Sequence, residues 1–516
     1  MQCRRAAASA GTRDGGCVSW SAGLRPPGAE RGVIAYARGQ QQRREGPGEI
    51  VSTFAVPPHA FERPALASDG LPAVPSPASI HAWPDHMVPR ARPRRGWRIF
   101  FSVIGLLLLA ACALTILILI GINTGRTGFL LGAVLATLPV PLLVAAFRWL
   151  DKYEPEPARY LVFAFVWGAA VATLVAITLN TVGTAVFFAR PGDSRIGWEA
   201  VFLAPPVEEA AKGAVVLVLA LRRRIDGIVD GIVFAGLCGV GFAFTENILY
   251  YGRAFSEGTA EFGTGTGVIV TIFTFILRGI VSPFAHPLFT LPIGIAVGIA
   301  VRRRSWWTKV MLPLLGYVIA MALHGLWNGI AVRAAQTAEE TQNGLVALGQ
   351  FGLGYLLIML PTFVGAVWLA IWLRRREGRV LNRRLPAYAE AGWIAPHEVA
   401  LLSSLRLRQL GLDLATRLGG KEARRATRAY QEHVVGLGYL RERLARGRRV
   451  ETDLVRQGEM LGALFALRAR AVVPPPPPAG AWRPPYGGPG PLPPGVPTSA
   501  SGPAHGVPPP HPGYLG

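Results

Sequence analysis

Cysteine is scarce. Cys3, Cys17, Cys112 and Cys238 are the only four in 516 residues. Two fall in a low-complexity N-terminal stretch and two in apolar runs, and none has metal-ligand spacing. A disulfide framework and a cysteine-based zinc site are therefore excluded. Acidic residues are also few, 31 against 53 Lys and Arg, for a formal net charge of +22. Such an excess would suit nucleic-acid binding, but the basic residues gather at the ends of apolar segments, as in Arg222-Arg223-Arg224, Arg302-Arg303-Arg304 and Arg374-Arg375-Arg376. That placement marks cytoplasmic membrane flanks and argues against a nucleic-acid partner. The first long apolar run begins only near Ile99, so no cleavable signal peptide is expected.

Apolar residues are plentiful. They make up 51% of the chain, and the mean hydropathy is positive, which together point to an all-α, polytopic helical membrane protein. Apolar segments run over about 99–122, 127–149, 159–188, 199–222, 226–251, 268–302, 307–333 and 345–373. Most are long enough to cross a hydrocarbon core of ~30 Å. Pro283, Pro287 and Pro292 can break the longest, 268–302, so the expectation is about eight transmembrane helices, within a range of seven to nine. With the N-terminus inside, the cytoplasmic joints carry two to four Lys and Arg each against one or two at the outer ones, which places both termini in the cytoplasm.

Four regions follow. Residues 1–96 are rich in Ala, Gly, Pro and Arg and read as a disordered tail. Residues 97–375 form the transmembrane helical domain. Residues 385–472 show helical periodicity with many charges and read as a cytoplasmic helical region. Residues 473–516, beginning with the run Pro474 to Pro478, read as a Pro-rich disordered tail.

Within the spans, a few polar residues carry the functional signal. Glu208 and Glu209 stand side by side in Val201 to Leu221, with Lys212 one turn on. An acid at bilayer depth costs several kcal/mol unless paired, so it is a functional candidate. Glu246, His286, His324 and Asn328 join them from other spans. Taking 1.5 Å per residue from each cytoplasmic end, Glu208 lies ~21 Å deep, His286 ~24 Å, His324 ~26 Å and Glu246 ~30 Å. Four spans thus bring acids and imidazoles into one layer in the outer half of the membrane. His324 and Asn328 share a helix face at i, i+4, as do Glu208 and Lys212. Glu209 points about 100° from Glu208 on a regular helix, so the two acids have different roles. Gly213, Gly236, Gly239, Gly241 and Gly325 suit close helix approach. Asp226 and Asp230 read as interfacial salt-bridge partners, and Arg278 as a snorkelling side chain.

A carboxylate that activates water, imidazoles that hold a metal or polarise a carbonyl, and an amide that stabilises an oxyanion suit peptide-bond hydrolysis. Zinc is the natural metal for such ligands, with His286, His324 and Glu246 as the candidates. The HExxH pair of familiar zinc peptidases is absent, so the ligands would come from separate helices. An ion- or proton-coupled transporter using the same Glu and His residues is the alternative, though no internal repeat relates the two halves.

Glu208-Glu209-x-x-Lys212, Phe242-x-x-x-Glu246, His286 and His324-x-x-x-Asn328, in this order, resemble the motifs of the PrsW family of intramembrane proteases, related to the CAAX prenyl endopeptidases and the Abi proteins. Asp151-Lys-Tyr-Glu-Pro-Glu-Pro157 resembles a further signature of that family. The resemblance covers about residues 128–335. It implies that Glu208 activates water, that Glu209 and Lys212 orient it, and that His286, His324, Asn328 and Glu246 complete a metal or oxyanion site. It also implies a substrate such as a single-pass anti-sigma factor in the bilayer, cut near the outer face in stress signalling. Glu246 stands where the prenyl-endopeptidase branch resembles a His, which argues against CAAX processing.

Overall fold

The computed structural model describes residues 66–78, 95–187, 197–447 and 450–474. Most of the two expected tails lies outside the described residues. The helices are α1 (Arg95–Thr137), α2 (Val140–Leu150), α3 (Ala158–Val166), α4 (Thr173–Phe187), α5 (Glu199–Phe202), α6 (Ala204–Leu221), α7 (Ile228–Phe262), α8 (Thr264–Phe275), α9 (Ala285–Ala300) and α10 (Trp306–Thr341). They continue as α11 (Gly344–Gly354), α12 (Leu360–Arg384), α13 (Pro386–Glu390), α14 (Pro396–Ser403), α15 (Leu405–Ala445) and α16 (Val450–Arg468). Among the described residues there is no β-strand, only one isolated bridge between Leu66 and Pro72. The chain is a helical, multi-pass membrane protein. Six helical stretches of the described residues are long and apolar enough to cross a bilayer. Helix α6 is not among the six; it carries the three charges Glu208, Glu209 and Lys212.

Helix α7 is the axis of the membrane domain. Its most apolar window is 78% buried, against 11–33% for the other five stretches, whose outward Leu, Ile and Val side chains face lipid. Small residues allow this central position. Gly231 lies directly against the backbone of Gly294 on α9, and a Cβ at Gly239 would stand 2.6 Å from Pro287 Cα. With no Cβ at either position, α9 packs backbone to backbone on α7. That contact sets His286, the neighbour of Pro287, beside Phe242.

The expected break in 268–302 occurs. A π-helical turn, Ile276–Val281, follows α8, and α9 restarts at Ala285 after Pro283. A second π-helical segment, Trp167–Ala172, joins α3 to α4 and brings Trp167 Nε1 to donate to Ala211 O on α6 at 3.0 Å. Single π turns recur at functional sites because they re-aim side chains. Here both flank the polar centre.

The C-terminal helices α13 to α16 bury a core of their own around Tyr388, Trp393, Tyr430 and Leu437. Part of the N-terminal stretch, 66–78, is seated on it. Asp69 accepts from Arg441 at 2.7 Å with each oxygen and from Arg384 at 3.2 Å, and Trp393 Nε1 donates to Pro75 O at 2.6 Å. The composition of 1–96 gives no period to reveal this docking, because one acid between two arginines carries most of its polar contacts.

Candidate active site

Helix α6 opens with Pro205 and Pro206, which suit a first turn whose N–H groups have no helical partner. One turn later its three charged residues face inward. Lys212 is fully buried, and its ammonium meets three acceptors: Glu209 Oε1 at 2.9 Å, His286 Nδ1 at 3.1 Å and Glu208 Oε2 at 3.3 Å. It also lies over the Phe242 ring at 3.9 Å. Three acceptors match the three N–H bonds that a lysine carries, so Lys212 serves to hold its neighbours.

Glu209 is saturated as well. Its Oε1 receives Lys212 and His324 Nδ1, the latter at 3.0 Å, and its Oε2 accepts from Thr290 Oγ1 at 2.9 Å. Glu208 differs. Its Oε2 meets Lys212 and stands 3.8 Å from His324 Nε2, while Oε1 meets Asn180 Nδ2 at 3.4 Å. Glu208 lines a cavity of about 600 Å³; Glu209 and Lys212 do not. Around it stand Glu246, His286, His324, Asn328 and Asn180.

The hydrogen bonds fix both imidazoles. Ionised Glu209 only accepts, so His324 carries its proton on Nδ1 and turns the Nε2 lone pair toward Glu208. His286 receives Lys212 at Nδ1, so its proton is on Nε2 and goes to Glu246 Oε2 at 2.7 Å. Stacking secures the rings, with Phe289 on His324 at 4.7 Å and Phe242 beside His286 at 5.1 Å.

Glu208, His286 and His324 each bring one ligand atom into a group whose atoms lie within 4.8 Å of one another. A carboxylate with two imidazoles is a zinc-type donor set. Each imidazole donates its other N–H to a carboxylate, Glu246 or Glu209, which is how metal-binding histidines are oriented. The residues therefore fit a metal ion, provided that Lys212 yields His286 Nδ1. Glu246 stands outside this group because its Oε2 is taken by His286 and by the Arg278 guanidinium.

Of the seven residues singled out in the sequence, six form one network. Asn328 lines the same cavity, and its Nδ2 donates to Ala200 O at 2.7 Å. Arg278 does not snorkel. Its guanidinium pairs with Glu246, its Nε donates to Asn247 Oδ1 at 2.7 Å, and it lies over the Tyr250 ring at 3.8 Å. The Glu246 carboxylate holds it in the site. Asn180 and Thr290 were missed, the only signal being a lone polar residue within an apolar run. Asp226 pairs with Arg443 of α15 at 2.9 Å, and Asp230 accepts from the Asp226 and Gly227 N–H groups. Neither joins the site.

Residues 156–366 match the model of the PrsW family intramembrane metalloproteases. The chain carries a PrsW family domain. This PrsW domain is similar to "Protease PrsW" of Clostridioides difficile (strain 630), 27% identical over 202 residues, 37% of this chain and 76% of that protein. It is likewise similar to "Protease PrsW" of Geobacillus kaustophilus (strain HTA426), 26% identical over 196 residues, 37% and 75% of the two chains. No solved structure matches. The chain is thus an intramembrane protease. The match starts later than the 128–335 resemblance and ends beyond it, taking in α11 and leaving out the first part of the Asp151–Pro157 signature.

Proposed function

We propose that this protease hydrolyses a peptide bond of a membrane-anchored, single-pass protein of the anti-sigma-factor kind, with Glu208 as the base that activates water. The observation that carries this reading is the contrast between two adjacent acids. Glu209 is turned from the cavity with three short contacts, whereas Glu208, held at 3.3 and 3.4 Å, lines the cavity beside His324 Nε2. Glu208 takes the proton of the attacking water and passes it to the leaving amine, with His324 Nε2 helping to hold that water. Glu209 and Lys212 keep Glu208 and His324 in register. Asn328 has one amide N–H on Ala200 O and a second left to stabilise the oxyanion. His286, held by Glu246 and Arg278, completes the wall. A zinc ion held by His286 and His324 beside Glu208 would supply Lewis-acid polarisation of the carbonyl and the water in place of the His324 contact, leaving Glu208 as the base.

We infer further that the site opens in the outer half of the membrane and that both termini are cytoplasmic. The seating of 66–78 on the C-terminal helices, through Asp69 with Arg384 and Arg441, supports a shared face for the two termini. The basic flanks make that face the inner one. The deciding experiment is comparative proteomics of membranes from cells carrying the parent or Glu208→Gln. A single-span protein cut only with the parent is the expected result. Equal fragments from both would refute the assignment, and Glu246-dependent ion flux in proteoliposomes without proteolysis would favour transport. Elemental analysis of the purified protein, with and without His324→Ala, tests the zinc site.

A further inference from the structure

Among the described residues, side chains of the C-terminal helices hold proline carbonyls at three places. Arg441 Nη2 donates to Pro72 O at 3.2 Å, Trp393 Nε1 to Pro75 O at 2.6 Å and His397 Nε2 to Pro474 O at 3.1 Å. A proline has no N–H and a Pro-rich stretch makes no internal hydrogen bonds, so its carbonyls can take such donors. Beside Trp393 lies a groove of about 310 Å³. Gly392, Trp393 and Ala395 line one side, and Leu464, Phe465 and Arg468 of α16 the other. Trp393 and Leu464 are buried, whereas Phe465, its ring centre 5.3 Å from that of Trp393, is 53% exposed. An aromatic-lined groove is the surface that takes a polyproline segment.

The course of the chain after α16 says what covers this groove. Val472 N donates to Thr427 Oγ1 at 2.9 Å, and His397 then holds Pro474. His397 is two residues from Ala395, so the chain passes Pro474 at the rim of the groove. Pro475 to Pro478 follow at once, with Pro484 and Pro485 shortly after. At ~3.1 Å per residue, the first four prolines alone reach ~12 Å. We propose that the groove binds the chain's own stretch 475–485, as an extended left-handed segment with its prolines against Phe465. The stretch after Ala78 also starts nearby, since Pro77 lies against Gly392, but it has to run on to α1 at Arg95.

The test uses the full-length protein in detergent, with the photo-crosslinker benzoylphenylalanine in place of Phe465. Ala395, on the opposite wall, takes the probe should the first variant fold poorly. Heavy-isotope and ordinary protein are mixed before irradiation, and cross-linked peptides are mapped by mass spectrometry. The expected product joins the probe to 475–485 within one molecule. Replacing Pro475 to Pro478 by Ser in the same protein should lower its yield about tenfold, because the serines lack the preset φ that limits the entropy lost on docking. A cross-link to 79–94, to a second molecule, or to nothing from either wall would overturn the inference, as would a yield that the serines leave unchanged.

Discussion

Two acids with solvent-shielded carboxylates, Glu209 in the membrane domain and Asp69 on the C-terminal helices, are bound in much the same way. Glu209 accepts from Lys212, His324 and Thr290, and Asp69 accepts from Arg441 and Arg384. In each case the cations offset the cost of removing a carboxylate from water. They differ in what stands beside them. Next to Glu209 is Glu208, held by longer contacts of 3.3 and 3.4 Å and open to a cavity, whereas Asp69 has no such companion among the described residues. Burial and ion pairing therefore mark a structural acid. A reactive one is recognised by the partner it still has room for.

Breaking the contrast at Glu208 should have the largest effect. Glu208→Gln keeps the size and the Asn180 contact but removes the base. Cleavage should fall about 10²- to 10⁴-fold, with thermal unfolding in detergent little changed. A comparable loss of stability would make Glu208 a second structural acid. Glu209→Ala should instead act on the fold, since it strands the buried Lys212 and frees His324. A destabilisation of about 3–5 kcal/mol is expected from such a broken pair, read as a lowered unfolding midpoint.

Asp69→Ala leaves Arg441, 3% exposed, without its carboxylate and Arg384, 7% exposed, with Glu442 alone. Hydrogen exchange should rise in 66–78 while Glu208-dependent cleavage persists. If cleavage fell in parallel, the two regions would be coupled and the contrast would not hold. The smallest effect concerns pH. Burial pushes the carboxyl of Asp151 up to about 7, and burial with the nearby Asp151 does the same for Glu156. A raised carboxyl contributes stability below its unfolded value and loses it as pH climbs through the folded one. Protection of the loop 151–157, with the intrinsic exchange rate divided out, should therefore fall between about pH 4 and pH 7 and level off above. Asp69, although desolvated by burial, is held below the usual carboxylate range by Arg441. Its docking should weaken only in acid, well below neutrality.

Much of the site was legible because bilayer depth can be counted along a helix. A Glu, a His and an Asn in apolar runs report their own height, and a shared height on several spans exposes a common centre. Arg278, Thr290 and Asn180 escaped because each has its partner on another helix and no local pattern. Lone polar residues are ambiguous until the packing gives them a direction. The docked stretch 66–78 was hidden for a similar reason, its few polar anchors lying among Ala and Pro.

Composition and charge placement alone made this chain a helical membrane protein, since no water-soluble core needs such long apolar runs with basic ends. The ordered motifs alone pointed to intramembrane hydrolysis. Which acid faces the cavity, which nitrogen of His324 turns toward it, and what Arg278 holds were decided only by tertiary structure. Those properties depend on rotation about helix axes and on contacts between spans, and the close approach of α9 to the glycines of α7 is what sets them.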